Sequence, residues 1–65
     1  MADGNEHEAL FAHLYAHATI NQAIGILKVR LDTSIDEAST YLTETAALLD
    51  LTALEFATEV VASVS

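Results

Sequence analysis

The chain has 65 residues. It contains ten Asp and Glu residues but only two Lys and Arg residues, Lys28 and Arg30, so its formal net charge is −8. The absence of cysteine excludes disulfides and thiolate metal sites. No apolar run approaches the roughly 18 residues of a membrane span, and the acidic N-terminus is unlike a secretory signal, so we expect a cytoplasmic protein that does not enter membranes. Such an acidic chain repels phosphate and favours basic or apolar partners.

The first half of the chain predicts one long helix, from about Asn5, which has capping-box-like spacing to Glu8, to Leu31. Three- and four-residue steps form an apolar stripe of Ile20, Ala23, Ile24, Leu27 and Leu31. A more polar seam continues upstream and contains Leu10, Leu14, His17 and Asn21, with Phe11, Tyr15 and Ala18 beside it. A helix of some 26 residues is roughly 39 Å long, so its N-terminal half is expected to project beyond the other helices.

Two shorter helices are predicted to follow tight turns. Ser34 with Glu37, and Thr52 with Glu55, have the spacing of capping boxes. The second helix is expected to run to about Leu49 and to bury Ile35, Ala38, Leu42, Thr45 or Ala46, and Leu49. The third is expected to bury Phe56, Ala57, Val60, Val61 and Val64. Helices this short are marginal in isolation, so tertiary packing must stabilise them.

These elements predict an all-α fold: a three-helix bundle whose long N-terminal helix extends as a coiled-coil-like dimerisation arm. We expect a single domain over residues 1–65, in which residues 1–13 form the N-terminal part of the arm and residues 14–62 form the core. No repeat or linker interrupts it.

The end of the long helix carries a motif, which is Ile20-Asn21-Gln22-Ala23-Ile24-Gly25-Ile26-Leu27-Lys28-Val29-Arg30. This motif resembles the I-x-Q-A-K-G-I-L-M-x-R signature of the ANTAR domain family. The family's following S-x-D-E-A segment is matched by Ser34, Asp36, Glu37 and Ala38, and its closing A-x-x-V-V by Ala57, Val60 and Val61. The resemblance covers roughly residues 14 to 62, and its specificity lies in the order and spacing of the pieces.

The resemblance implies an output module of bacterial transcription antiterminators, which dimerise through the first helix and bind paired RNA stem-loops. Carried over residue by residue, it implies RNA contacts at Ala23, Gly25, Lys28 and Arg30. The expected interface of a homodimer consists of Leu10, Phe11, Leu14, His17, Ala18, Asn21 and Ile24.

An alternative follows from Ile24, which stands where the family has a lysine. An apolar residue there suits contact with another helix, so the chain is also interpreted as a protein-interaction module that has lost RNA binding. Such a module would homodimerise or form a heterodimer with another ANTAR protein. A third hypothesis, mimicry of nucleic acid by the acidic surface, has no patterned acidic run to support it.

Other arrangements of reactive residues predict no catalysis. His13 and His17 are four residues apart and could share a metal ion, but no further ligand follows, and we expect no metal and no cofactor. The acidic residues are interpreted as helix starters and solvated positions, so we expect neither an enzyme nor a small-molecule substrate. Gly25 lies mid-helix, where glycine costs about 1 kcal/mol relative to alanine; close helix packing and close approach of RNA explain it equally well.

Overall fold

A computed structural model describes the backbone of residues 3–64 and the side chains of residues 9–64. This part of the chain contains three helices and no strand: α1 (Asp3–Leu31), α2 (Ile35–Leu48) and α3 (Ala53–Ala62). Each helix contacts the other two. The predicted all-helical class and the three helices are therefore confirmed. Helix α1 begins two residues before the expected start at Asn5, and the proposed cap by Asn5 and Glu8 concerns side chains outside the described ones.

Both predicted capping boxes are present at the starts of α2 and α3. The Ser34 hydroxyl accepts a hydrogen bond from the Glu37 amide at 3.1 Å, and the Glu37 carboxylate accepts one from the Ser34 amide at 3.2 Å. At α3, the corresponding distances between Thr52 and Glu55 are 3.0 and 2.8 Å. Each box satisfies two amides that the helix itself leaves without a partner, so the side chains fix where both helices begin.

The helices α1 and α2 both end on an aspartate in the left-handed region, with φ of 52° at Asp32 and 61° at Asp50. The next amide then reaches back across the last turn: Thr33 donates to the Lys28 carbonyl at 3.1 Å, and Leu51 donates to the Ala46 carbonyl at 2.8 Å. This is the Schellman arrangement, which usually has glycine at the left-handed position. With this arrangement, three residues connect α1 to α2 and four connect α2 to α3.

The core lies where the three helices meet, and its centre is made of small side chains. Ala23 of α1, Ala38 of α2 and Ala57 of α3 are all fully buried. Larger buried residues surround them, namely Leu27, Leu42 and Val60. Because alanine keeps few atoms between two helices, the axes can approach closely at this point.

The predicted burial of three residues at helix ends is wrong, and a fourth residue, from the predicted apolar stripe, is exposed as well. Ile35 is 59 % exposed, Leu49 is 56 % exposed and Val64 is 51 % exposed. Leu31, at the last position of α1, is 45 % exposed. These residues have the correct helical spacing, but each lies at or just beyond the end of its helix, where no neighbouring helix extends far enough to cover it. The interior positions of the same stripes, such as Leu42, are buried as expected.

The molecule is elongated, with extents of 47 × 23 × 22 Å. Its length is set by α1, whose 29 residues span about 43 Å. None of the helices in the described part of the chain is long and apolar enough to cross a bilayer.

Because of the hydrogen bonds to the Glu37 carboxylate, we expect the free energy of unfolding to depend on pH. The pKa of this carboxylate lies below the ordinary value of 4.5 because the Thr33 hydroxyl donates to it, followed by the Ser34 amide and hydroxyl. A carboxylate with a depressed pKa in the folded state contributes stability above its unfolded pKa, and this is lost as pH falls through the folded pKa. Stability measured by urea unfolding is therefore expected to fall as the pH is lowered below about 4.5.

Glu37→Gln should reduce that fall, because the amide stays neutral over the whole range. The matched control is Glu44→Gln, a change at another exposed position of α2. If both variants lose stability with acid as steeply as the parent chain, the Glu37 hydrogen bonds do not contribute.

Candidate interaction surface on the long helix

Helix α1 has a covered side and an uncovered side. Its buried residues are Thr19, Ala23 and Leu27, which recur at four-residue steps and therefore lie along one side of the helix. This side faces α2 and α3. We give the name outer face to an exposed stripe that covers about 120° of the remaining helix surface, at 100° per residue. It consists of Phe11, Leu14, Tyr15, Ala18, Asn21, Gln22, Gly25 and Val29, and the exposed residues Leu10 and Lys28 border it.

Most residues of the outer face are apolar and none carries a formal charge, while Lys28 lies just beyond its edge. Phe11 is 69 % exposed, Tyr15 is 62 % exposed and Val29 is 79 % exposed. No Asp, Glu, Lys or Arg occurs between Ala9 and Leu27. In a chain with a net charge of −8, water-exposed aromatic and aliphatic residues on an uncharged face are typical of a surface that binds another protein.

Gly25 lies in the middle of the exposed C-terminal half of this face. A β-carbon placed on it would meet no atom within 4 Å other than those of its own helix and its chain neighbours. Packing within this chain therefore does not require glycine, although glycine in a helix costs about 1 kcal/mol relative to alanine. Of the two explanations that the sequence leaves open, helix packing within this chain does not account for Gly25.

A groove of about 500 Å³ surrounds Gly25. Its lining residues are Gln22, Gly25, Ile26, Val29, Arg30 and Val64. The first five belong to α1, and Val64 follows the end of α3. Most of this lining is apolar, so the groove suits an apolar side chain better than a phosphate.

The residues predicted to form a dimer interface do not all lie in one environment. Six of the seven are exposed, and they are Leu10, Phe11, Leu14, His17, Ala18 and Asn21. Ile24 is half-buried and packs against the core of its own chain. Ile24 thus contributes to the bundle, and the exposed residues of the predicted interface lie beside it around the helix. The His17 ring lies 6.0 Å from the His13 ring, at the edge of the outer face.

The residues predicted to contact RNA lie on two opposite sides of α1: Ala23 and Arg30 on one, and Gly25 and Lys28 on the other. Ala23 is fully buried, so a ligand at the surface cannot touch it, and its small size serves helix packing instead. Lys28 and Arg30 are exposed, and neither forms an ion pair with any residue in 9–64. Two residues apart on a helix, they point about 160° away from each other. They therefore do not combine into one cationic surface on a single chain.

Tyr15, Gln22 and Val29 belong to the exposed outer face but are not among the residues that the sequence predicts for an interface or for RNA contact. The sequence pattern that marks these residues is a second seam. Its four- and three-residue steps alternate from Phe11 through Tyr15, Ala18, Gln22 and Gly25 to Val29. It is hard to recognise because glutamine and glycine interrupt its apolar character. Among the described residues, no group of three or more His, Cys, Asp or Glu is placed to hold a metal ion.

Gly25→Ala is expected to raise the free energy of unfolding by about 1 kcal/mol, since alanine is the better helix former and the added methyl group meets open space. Urea unfolding at low protein concentration, where association contributes little, measures the change. Ala47→Gly, at an exposed position inside α2, is the reverse control and should lower stability by a similar amount. A loss of stability in Gly25→Ala would show that residues of this chain occupy the space.

Comparisons with known protein families, with curated proteins and with solved structures found no match for this chain. Its function is therefore inferred from what the exposed residues of α1 can contact and from the ANTAR-like order of its motifs.

Proposed function

We propose that this chain is an ANTAR-like dimerising regulator of transcription antitermination that acts by binding other macromolecules in the cytoplasm and not as an enzyme. The observation that carries the proposal is the outer face of α1, which is apolar, uncharged and exposed in an otherwise acidic molecule. A second copy of the chain offers the same apolar face. Two such faces can meet without bringing like charges together.

The acidic surface supports association with protein as the main activity. Each copy has only two Lys and Arg cations against ten carboxylates, and a dimer keeps this ratio. Nucleic-acid affinity depends largely on cations that neutralise phosphates. The apolar outer face has no such requirement, because removal of its side chains from water is itself favourable. Homodimerisation is thus the best-supported step, and a heterodimer with another ANTAR protein would use the same residues.

RNA stem-loop binding is the second part of the proposal, and a specific observation favours it. Lys28 and Arg30 are the only basic residues of the chain; both are exposed and neither pairs with an acidic residue in the described region. Both also belong to the segment with the ANTAR-like signature. In a dimer, two copies of each cation are present, so contacts too weak in one chain can act together on paired stem-loops.

Leu14→Glu is expected to abolish self-association. Leu14 is 53 % exposed, so the change leaves the core intact but places a charge on the outer face of both copies. Sedimentation equilibrium over a range of protein concentrations should show a dimer for the parent chain and a monomer for the variant. Ala12→Glu adds the same charge at an exposed position outside the outer face and should remain dimeric. A parent chain that is monomeric at every concentration would contradict the proposed function.

RNA binding is tested by titrating a tandem stem-loop RNA with the chain at two salt concentrations. Binding should weaken as salt rises. Lys28→Ala or Arg30→Ala should weaken it further and reduce the salt slope by about one for each phosphate that is no longer neutralised. Thr43→Ala, at an exposed and uncharged position of α2, is the control. If the folded chain leaves the RNA unbound at all concentrations, the function is protein association alone.

A further inference from the structure

The groove around Gly25 has the geometry of a site for a side chain from another helix. Four of its lining residues, Gln22, Gly25, Ile26 and Val29, follow the spacing i, i+3, i+4 and i+7. Side chains at these positions surround one hole on a helix surface, which a side chain of a facing helix fills in coiled-coil packing. The absent side chain of Gly25 deepens this hole. Among the large residues in the N-terminal half of the outer face, Phe11 is the most exposed, at 69 %.

We propose that two copies of this chain pair antiparallel through their outer faces, with Phe11 of each copy seated in the groove over Gly25 of the other. This inference rests on the proposed self-association and adds its orientation, its register and its central contact. The glycine then has a physical role, because it gives the aromatic ring a place close to the backbone of the facing helix.

The register follows from the positions of the two residues. Phe11 and Gly25 lie symmetrically about Ala18, so contact between them in both directions places the two-fold axis beside Ala18. Since α1 runs from Asp3 to Leu31, this register overlaps the helices over nearly their whole length. It also sets Tyr15 of one copy beside Asn21 and Gln22 of the other, whose amides can hydrogen-bond the phenol.

The distribution of side-chain size favours the antiparallel orientation. The large residues of the outer face, Phe11, Leu14 and Tyr15, lie in its N-terminal half, whereas Gly25 and the groove lie in its C-terminal half. In an antiparallel pair, the large side chains of one copy lie against the groove and the small residue of the other copy at both ends. A parallel pair in register sets Phe11 against Phe11 and Gly25 against Gly25, which crowds one end and leaves a void at the other, and protein contacts tolerate neither well.

The distribution of charge favours the same orientation. Seven of the ten acidic residues lie between Asp32 and Glu59, in or beside α2 and α3. Antiparallel pairing places the two acidic bundles at opposite ends of the paired helices, whereas parallel pairing places them side by side. In sequence, Glu6 and Glu8 lie at one end of α1, and Lys28 and Arg30 lie at the other, so antiparallel helices also bring segments of opposite charge together.

The size of the face predicts a moderate affinity. Aromatic side chains bury ~150–250 Å² each, and the exposed fractions of Phe11, Tyr15, Leu14 and Val29 are 69, 62, 53 and 79 %. The apolar area that pairing removes from water is then roughly 500 Å² per copy, at the low end for specific interfaces. A dimer of this kind exchanges subunits readily, which suits a regulator that also forms heterodimers.

Cross-linking between engineered cysteines tests the register, and the chain has no cysteine of its own. We expect no disulfide-linked dimer from oxidised Phe11→Cys alone or from Gly25→Cys alone. An equimolar mixture of the two should give a mixed covalent dimer, identified by mass. Disulfides form only when the α-carbons lie about 4.4–6.8 Å apart. Ala18→Cys, beside the expected axis, should cross-link with itself, and Ala62→Cys, exposed on α3, should not.

Other outcomes of the cross-linking experiment contradict the proposed antiparallel register. If Phe11→Cys cross-links with itself, the helices are parallel. If neither the mixture nor Ala18→Cys cross-links while sedimentation shows a dimer, another face holds the copies together; self-association then stands and only this register fails. A chain that is monomeric throughout instead defeats the proposed function itself.

Gly25→Ala provides a second readout, because its effects on folding and on pairing have opposite signs. The variant is expected to dimerise about tenfold more weakly, which corresponds to about 1.4 kcal/mol, since the methyl group occupies the place of the ring. Thr43→Ala, an exposed change to alanine on α2, should leave the dimerisation constant unchanged. A Gly25→Ala variant that dimerises as tightly as the parent chain excludes Phe11 from the groove.

Discussion

Close packing of three helices on alanine is the constraint on which the rest of this structure depends. Ala23, Ala38 and Ala57 are completely excluded from solvent, and their small size lets α1, α2 and α3 contact one another at one level. Small side chains also limit how much apolar surface the core removes from water, and hydrophobic stabilisation scales with that area. A domain of this size lies near the limit of independent stability, so association that covers further apolar residues contributes directly to folding.

The two sides of the long helix lie in different environments. Its covered side provides Ala23 and Leu27 to the bundle, while its outer face presents Phe11, Tyr15 and Val29 to solvent. Between Ala9 and Leu27 the helix has no formally charged side chain, so the repulsion expected of so acidic a chain is kept away from the face that would meet a partner. Most of the acidic residues lie on α2 and α3 and in the turns before them, away from the apolar residues of the outer face.

Local chemistry made much of the fold predictable. The serine, threonine and glutamate of the two capping boxes satisfy specific amides, and this requirement is readable from spacing alone, so the starts of α2 and α3 were expected correctly. Burial at helix ends was not predictable, because periodicity tells which side of a helix is apolar but not how far the neighbouring helix extends. Ile35 and Leu49 are exposed for that reason. In the candidate site, Phe11 and Leu14 were predicted for an interface and are exposed, but spacing could not tell that Ala23 is buried while Gly25 has open space around it.

The two left-handed aspartates make the connections between the helices the least optimised part of the fold. Asp32 and Asp50 adopt a backbone conformation that suits glycine or asparagine better, and each places a negative charge at the carbonyl end of a helix, where negative charge is unfavourable. Neither residue belongs to the core or to the outer face. Stability can therefore be gained at the turns without altering either packing surface. A chain that acquires destabilising changes on α1, for instance while it evolves toward a new partner, has two positions at which a single substitution can restore its fold.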